Sequence, residues 1–449
     1  MTSPLEITQL PYRSSPLETF APLRHRSGAV LLDSGRPSAP GGRYDIMSSD
    51  PLETFAPQPS RRGSDSSAPF QAQKALLERL PDAVPTSDLP FLGGLIGYWS
   101  YDLGHRLEPT QGKAARVADL PDSRVGLYDW AIIQDHQQQQ TWLVASPERR
   151  RQVMSWLQAT PPSQAPFQLT GGFQPEMSRQ EYLARFARVQ HYIRAGDCYQ
   201  INLAQRFSAP YQGDLWQAYC RLRQATPTPF AGFIAWEDQA ILSLSPERFL
   251  QCADGHVETR PIKGTRPRGQ TVEQDRAFAE ALTHSLKDRA ENVMIVDLLR
   301  NDLGRVCRPG SVRVPQLCAL ESYANVHHLV SVVTGELDDR HSPLELLSAA
   351  FPGGSITGAP KVRAMQIIDE LEPSARSAYC GSLGYVDVRG RMDTSIAIRT
   401  AVADAGHLHI WGGGGLVADS RGEAEYTETL DKIRHLMKAL SDDQQHLEE

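Results

Sequence analysis

The rhythm of apolar and polar positions changes near residue 177. Residues 1–158 are rich in proline and turns, with short apolar runs such as Ala29-Val30-Leu31-Leu32 and Phe91-Leu92-Gly93-Gly94-Leu95-Ile96. The string Pro-Leu-Glu-Thr-Phe-Ala-Pro stands at 16–22 and again at 51–57. Beyond a pair of serines just upstream the flanks do not repeat, so no solenoid is implied. The glutamine run at 137–140 reads as a loop, and 159–176, rich in Pro, Gln and Gly, reads as a linker.

From Met177 the pattern becomes periodic. Ser178 followed by Glu181 is a capping-box signature, opening an amphipathic helix over 178–195. Strand-like runs follow at 230–236, 240–244 and 256–262, with an Asp254-Gly255 turn leading into the last. A long helix is predicted over 271–303, and strands at 326–335, 382–388, 394–403 and 407–411. A closing helix spans 423–440, and 441–449 is a polar tail. Strands joined mostly by tight turns, with helices between, predict an α+β fold of large antiparallel sheets with helices packed outside. Residues 177–440 form its expected catalytic region, and 1–158 a separate N-terminal one.

Composition narrows the class. The 449 residues suffice for a large core, and 40% hydrophobic with 22% charged is an ordinary globular balance. A net charge of −7 argues against a nucleic-acid partner. No apolar run approaches membrane-spanning length, and no signal pattern opens the chain. Six scattered cysteines without C-x-x-C spacing point to free thiols and to a cytoplasmic protein.

Five segments could carry chemistry. On the long helix, Glu291 shares a stripe with Met294, Ile295 and Leu298, and Asp288 stands one turn earlier. The closing helix offers Glu425 and Glu428, with Lys432 one turn beyond. Two such pairs could hold a hard cation, or they could be solvated helix faces. The glycine-rich stretch Phe351 to Lys361 begins like a phosphate loop but fails that pattern at Ala359-Pro360. Gly412 to Gly415 could offer amide N–H groups to an anion, or simply turn the chain. Lys263, in Arg260-Pro261-Ile262-Lys263-Gly264-Thr265-Arg266, is either a surface cation or a nucleophile whose pKa is lowered by burial or neighbouring charge.

Taken together, 177–438 resembles the chorismate-utilising enzymes, which include anthranilate, aminodeoxychorismate, isochorismate and salicylate synthases. The motifs that carry the resemblance are Ser245-Pro246-Glu247-Arg248-Phe249, Pro261-Ile262-Lys263-Gly264-Thr265, Glu291 to Asp297, Gly354 to Lys361, and Glu425-Tyr426-Thr427-Glu428-Thr429. The resemblance implies that Glu291 and Glu428 hold Mg²⁺ against the ring carboxylate of chorismate, with Asp288 and Glu425 orienting its waters. It implies contacts to the enolpyruvyl carboxylate from Arg399, Tyr379, Lys432 and the N–H groups of Gly413, Gly414 and Gly415. Thr357 and His328 would line the pocket, His328 near the departing hydroxyl.

Pro-Ile-Lys-Gly-Thr resembles the branch that aminates chorismate at C4. There Lys263 would be the nucleophile and Glu247 the general acid, with ammonia as co-substrate and 4-amino-4-deoxychorismate as product. Anthranilate synthases usually carry alanine at this lysine, and an isochorismate-type enzyme a different arrangement of it. An inactive regulatory subunit would be expected to have lost part of the set. No Gly-x-Cys-x-Gly elbow is present, so ammonia would come from a separate glutamine amidotransferase subunit. Leu31 to Ser34 and Pro227 to Phe230 resemble segments that form a tryptophan pocket in related synthases, here Ser34, Tyr44, Pro229 and Phe230.

One local conflict is visible. A two-residue hairpin at Asp254-Gly255 pairs Glu247 with Ile262, so Lys263 would face away from Glu247. A bulge near Pro246 or Pro261 is therefore predicted.

Overall fold

The computed structural model describes residues 4–39, 41–57, 68–81, 84–108, 110, 112, 114–161, 163, 165–323 and 326–441. Apart from Ser441, the expected polar tail lies outside them. The described strands form two antiparallel sheets, of thirteen and ten strands, with helices against their outer faces.

Strict alternation in the first sheet explains the layering. Val30, Ile46, Ile133, Val144, Ile234, Ile241 and Val402 belong to a core shared with the second sheet. Their neighbours Leu31, Met47, Ile132, Leu143, Phe233, Leu242 and Ala401 belong to a second core. That second core is closed by the helices Pro147–Gln158, Leu215–Ala225 and Arg434–Leu440. Period-two side chains on a sheet buried on both faces produce this result. No helix among the described residues is long and apolar enough to cross a membrane.

Both sheets draw strands from either side of 159–176. Val30–Asp33 pairs with Phe230–Ala235 in the first sheet, and Gly94–Trp99 with Ser382–Asp387 in the second. The stretch read as a linker itself supplies two short strands, Gln168–Leu169 and Gln174–Pro175, which pair with the strand Gln200–Gln212.

Several expected elements are divided. The helix expected over 271–303 is two, Val272–Thr283 and Leu286–Gly304; Ser285 caps the second by accepting from the Asp288 amide. The closing helix is also two, Gly422–Asp431 and Arg434–Leu440. The run expected as one strand over 394–403 is Met392–Ile396 in the second sheet and Thr400–Asp404 in the first. Between them Arg399 takes a left-handed backbone, φ 51°.

The repeated heptapeptide shows how little local sequence decides. At 16–22 it forms the helix Pro16–Phe20, capped by the Ser15 hydroxyl. At 51–57 it contributes the strand Glu53–Phe55, paired with Ser123–Tyr128. Identical residues, one with a cap and one beside a strand edge, take different structures.

Candidate active site

The chain crosses between the sheets twice at one seam. Ala240–Ser245 lies in the first sheet and Arg248–Ala253 in the second, leaving Pro246-Glu247 at the crossing. The return crossing, from Met392–Ile396 to Thr400–Asp404, carries Arg399. The crossings are tied together, since Ile396 N–H donates to Glu247 O and Ser245 Oγ to Ile396 O. A cleft of about 450 Å³ opens at this seam.

The predicted bulge is present and places the lysine. The hairpin pairs Ala253 with His256 and Gln251 with Glu258, but the strand stops at Thr259. Beyond Pro261 the chain resumes as Ile262–Pro267, where Ile262 opposes Val330 and Thr265 opposes His328. Three residues thus span two on the partner strand, and Gly264 takes φ 80°. With this bulge, and a second register shift between Arg248 and Leu250 beside Glu247, Lys263 and Glu247 line the same cleft. A side chain at Gly264 would also strike Asp288 and Leu282 at under 3 Å.

Lys263 Nζ donates to Ser355 O at 3.0 Å. Burial pushes its ammonium below the ordinary lysine range, opposed by the fields of Glu291 and Glu247. Burial raises the Glu247 carboxyl, against Lys263 and against hydrogen bonds from the Ser355 side chain and the Ile262 amide. Both groups are therefore driven toward their neutral forms, a free amine and a carboxylic acid. His328 Nδ1 meets Thr265 Oγ1 at 2.9 Å and the ring also bonds the Gly264 backbone; burial lowers its pKa to about 4, so it is neutral at pH 7.

The other end of the cleft is acidic. Asp288 and Glu291 reach it from the helix Leu286–Gly304, and Glu428 from Gly422–Asp431. Glu425 lies behind, 3% exposed, taking a hydrogen bond from Ser420 Oγ at 2.6 Å. Its Oε2 is buried with no hydrogen-bond partner among the described residues. A Cβ built on Gly414 would sit 3.3 Å from that oxygen and 3.6 Å from Glu428 Oε1, so the missing side chain leaves room between two acids. Burial raises the Glu291 and Glu425 carboxyls, and neighbouring acids add to both shifts. Among the described residues no three acids are drawn into a closed cage. Ammonium groups stand between them instead: Lys287 between Glu291 and Glu425, and Lys432 2.8 Å from Glu428. Oxygen donors held together against repulsion suit a hard cation.

Between these ends lie most of the residues expected to meet an anion. Arg399 forms no salt bridge among the described residues, and its guanidinium faces the Glu247 field. Tyr379 stacks on Trp411, centroids 5.8 Å apart, with its hydroxyl over Gly413. Lys432 Nζ donates to Gly413 O at 2.8 Å, and Gly413 and Gly415 line the cleft. Thr357 does not: it is fully buried, and its hydroxyl donates to the carbonyls of Gly353 and Gly354, bracing the turn. Gly414 serves through the space it leaves and not as a wall.

Polar cleft residues to which sequence reading gave no role include Asn202, Ser355 and Lys287. Asn202 lies on the strand Gln200–Gln212, where Gln200 and Asn202 alternate with Ile201 and Leu203; that period-two pattern was the available signal. Arg376 supports the wall, donating to Ile356 O and Asn202 O while paired with Glu372.

The residues resembling a tryptophan pocket lie elsewhere, on the first sheet. The register that pairs Asp33 with Ala231 brings Ser34 beside Phe230. Ser34 donates both its amide and its hydroxyl to Asp45 Oδ1, each at 2.7 Å. Arg43 covers the ring of Tyr44, Arg248 lies 5.1 Å from the Phe230 ring, and Pro229 is half-buried.

Residues 28–438 match the model of the family described as chorismate binding enzyme. The chain belongs to that family. Aminodeoxychorismate synthase component 1 of Salmonella typhimurium is 49% identical over 448 residues, covering 98% of each chain. Anthranilate synthase component 1 of Thermus thermophilus is 40% identical over 380 residues, covering 83% of this chain and 81% of the relative. The crystal structure of anthranilate synthase component I from Streptococcus pneumoniae superposes with a TM-score of 0.78 at 29% identity, covering 88% of this chain and 92% of that one.

Proposed function

We propose that this chain is the synthase component that converts chorismate and ammonia to 4-amino-4-deoxychorismate, the precursor of 4-aminobenzoate and folate. The observation that carries the reading is the bulge that turns the Lys263 amine and the Glu247 carboxyl into one cleft. The names of relatives that are 49% and 47% identical over nearly the whole chain support it.

The neutral Lys263 amine attacks ring carbon C2, both ring double bonds shift by one position, and the C4 hydroxyl departs. Glu247 donates a proton to that hydroxyl, which leaves as water, and the ammonium formed at C2 returns one proton to the Glu247 carboxylate. Ammonia then forms a bond at C4, both double bonds shift back, and the C2–N bond breaks. Lysine leaves with a proton and is restored. Each turnover consumes one ammonia and releases one water.

Glu291 and Glu428 would hold Mg²⁺, with Asp288 beside them in the cleft and Glu425 behind; bound there, the ion would neutralise and fix the ring carboxylate. Arg399, Tyr379, Lys432 and the glycine amides receive the enolpyruvyl carboxylate, the guanidinium fork matching its two oxygens. Neutral His328 braces the Gly264 bulge and lies beside the departing hydroxyl. Ammonia is delivered by a separate glutamine amidotransferase component, and free ammonium replaces it in vitro.

The test is product identification from chorismate, Mg²⁺ and an ammonium salt. The reading expects 4-amino-4-deoxychorismate. Anthranilate with pyruvate would assign the chain to the other amination branch.

A further inference from the structure

A lysine stands in the first turn of the helix Leu286–Gly304, where the helix itself favours acid. The unpaired N–H groups at a helix start carry partial positive charge, so a cation there is locally disfavoured. A lysine four residues before a glutamate is also the weaker of the two orders for a helical pair. Lys287 is in both positions. Its placement is explained by what it reaches across to. The ammonium lies 3.9 Å from Glu291 Oε1 on its own helix and 3.7 Å from Glu425 Oε1 on the helix Gly422–Asp431.

Those lengths exceed a hydrogen bond, so the contact is held by the electric field and not by fixed geometry. The lysine side chain is 47% exposed, while those of Glu291 and Glu425 are 14% and 4% exposed. Lys287 therefore reaches from solvent into a gap between two buried acids. Of the other charges facing the gap, Asp288 pairs with Arg266 at 3.0 Å and Glu428 with Lys432 at 2.8 Å, while Lys263 acts on Glu291 through its field and donates its hydrogen bond to Ser355 O. Among the described residues Lys287 is the one ion-pair partner that Glu291 and Glu425 share.

We infer that Lys287 is a resident counter-ion for this acidic cluster, neutralising Glu291 and Glu425 in the metal-free protein and swinging to solvent when the divalent cation enters. The inference rests on the magnesium reading above. Two like-charged buried acids facing one gap repel unless a cation lies between them. A tethered ammonium meets that need before the metal arrives, and its exposure makes withdrawal easy. Metal binding is then an exchange of cations, and its affinity is set partly against Lys287.

The experiment is calorimetric titration of MgCl₂ alone into wild type, Lys287→Met and Lys287→Arg, with thermal melts at each metal concentration. Lys287→Met is expected to bind Mg²⁺ about fivefold tighter or more, each half-exposed pair being a modest interaction. It should melt lower than wild type without metal and gain more on adding it, while Lys287→Arg stays near wild type. Lys287→Gln carries the same expectation should the methionine variant fail to fold. Equal or weaker Mg²⁺ binding by the neutral variants would overturn the inference while leaving the magnesium reading intact. Binding by Lys287→Met but not by wild type would support it in its strongest form. If neither binds, the magnesium reading falls and the inference with it.

Discussion

Two clusters of buried charge in this molecule are built on opposite plans. In the N-terminal cluster every acid has its donors. Asp33 accepts from Tyr219 Oη at 2.8 Å, from Arg223 at 2.5 and 3.0 Å, and from the Gly35 amide at 2.7 Å. Asp45 accepts from Ser34 and meets His136 Nε2 at 2.5 Å. At the seam Asp288 and Glu428 are paired, but other charges are not fully met. Glu425 Oε2 has no partner among the described residues, Glu291 has a lysine at 3.9 Å, and Arg399 forms no salt bridge there. A buried charge satisfied by its own fold holds structure, and removing one partner strands the other. A buried charge that the fold leaves unsatisfied is stabilised by what binds. The first cluster should therefore respond to mutation in stability, the second in activity.

The largest expected separation is at Lys263. Lys263→Ala should lower amination by about a thousandfold or more, since the nucleophile is gone. Removing a buried amine should leave the melting temperature level or raised. A variant that loses stability and activity together would erase the contrast. Next is Glu247→Gln, expected to cost about a hundredfold to ten-thousandfold in kcat, the usual range for a positioned acid. In wild type the rate should fall as pH rises through the elevated pKa of Glu247, and that limb should vanish in the variant.

From the opposite cluster, Arg223→Ala should cost about 3–5 kcal/mol in chemical denaturation, because Asp33 is left buried and unpaired. Turnover per folded molecule should be nearly unchanged, and a selective loss of kcat would refute the division. The smallest effect is in the pH dependence of stability. Glu247, Glu291 and Glu425 all have raised pKa values in the folded protein, so the folded state holds their protons longer than the unfolded one. The contribution is present below the ordinary carboxylate value of 4.5 and is lost as pH rises through the folded values. Metal-free stability should decline across that window, and Mg²⁺ should flatten the decline. A metal-independent profile would remove the carboxylates from the metal's account.

The seam was legible in sequence to an unusual depth, because its residues sit in long ordered motifs. Even the bulge followed from arithmetic: the hairpin register set Lys263 on the wrong face, and Pro246 or Pro261 offered the place to reverse it. Other features depended on contacts that no local pattern reports. Ser285 broke a helix whose apolar period ran straight through it. Arg399 sits inside an apolar run that reads as one strand, yet the chain changes sheets there. Residues 1–158 read as irregular because their strands are short and pair with partners far along the chain, as Gly94–Trp99 does with Ser382–Asp387. The heptapeptide at 16–22 and 51–57 makes the same point with identical letters.

The central claim is that the seam aims a neutral Lys263 amine at bound chorismate. The most direct measurement is to hold the protein with chorismate and Mg²⁺ while withholding ammonia, quench it in acid, and map the peptides by mass. The account predicts a peptide containing Lys263 that is heavier by chorismate less one water, and that disappears when ammonium is supplied. Amination proceeding with no such adduct, and undiminished in Lys263→Ala, would contradict it.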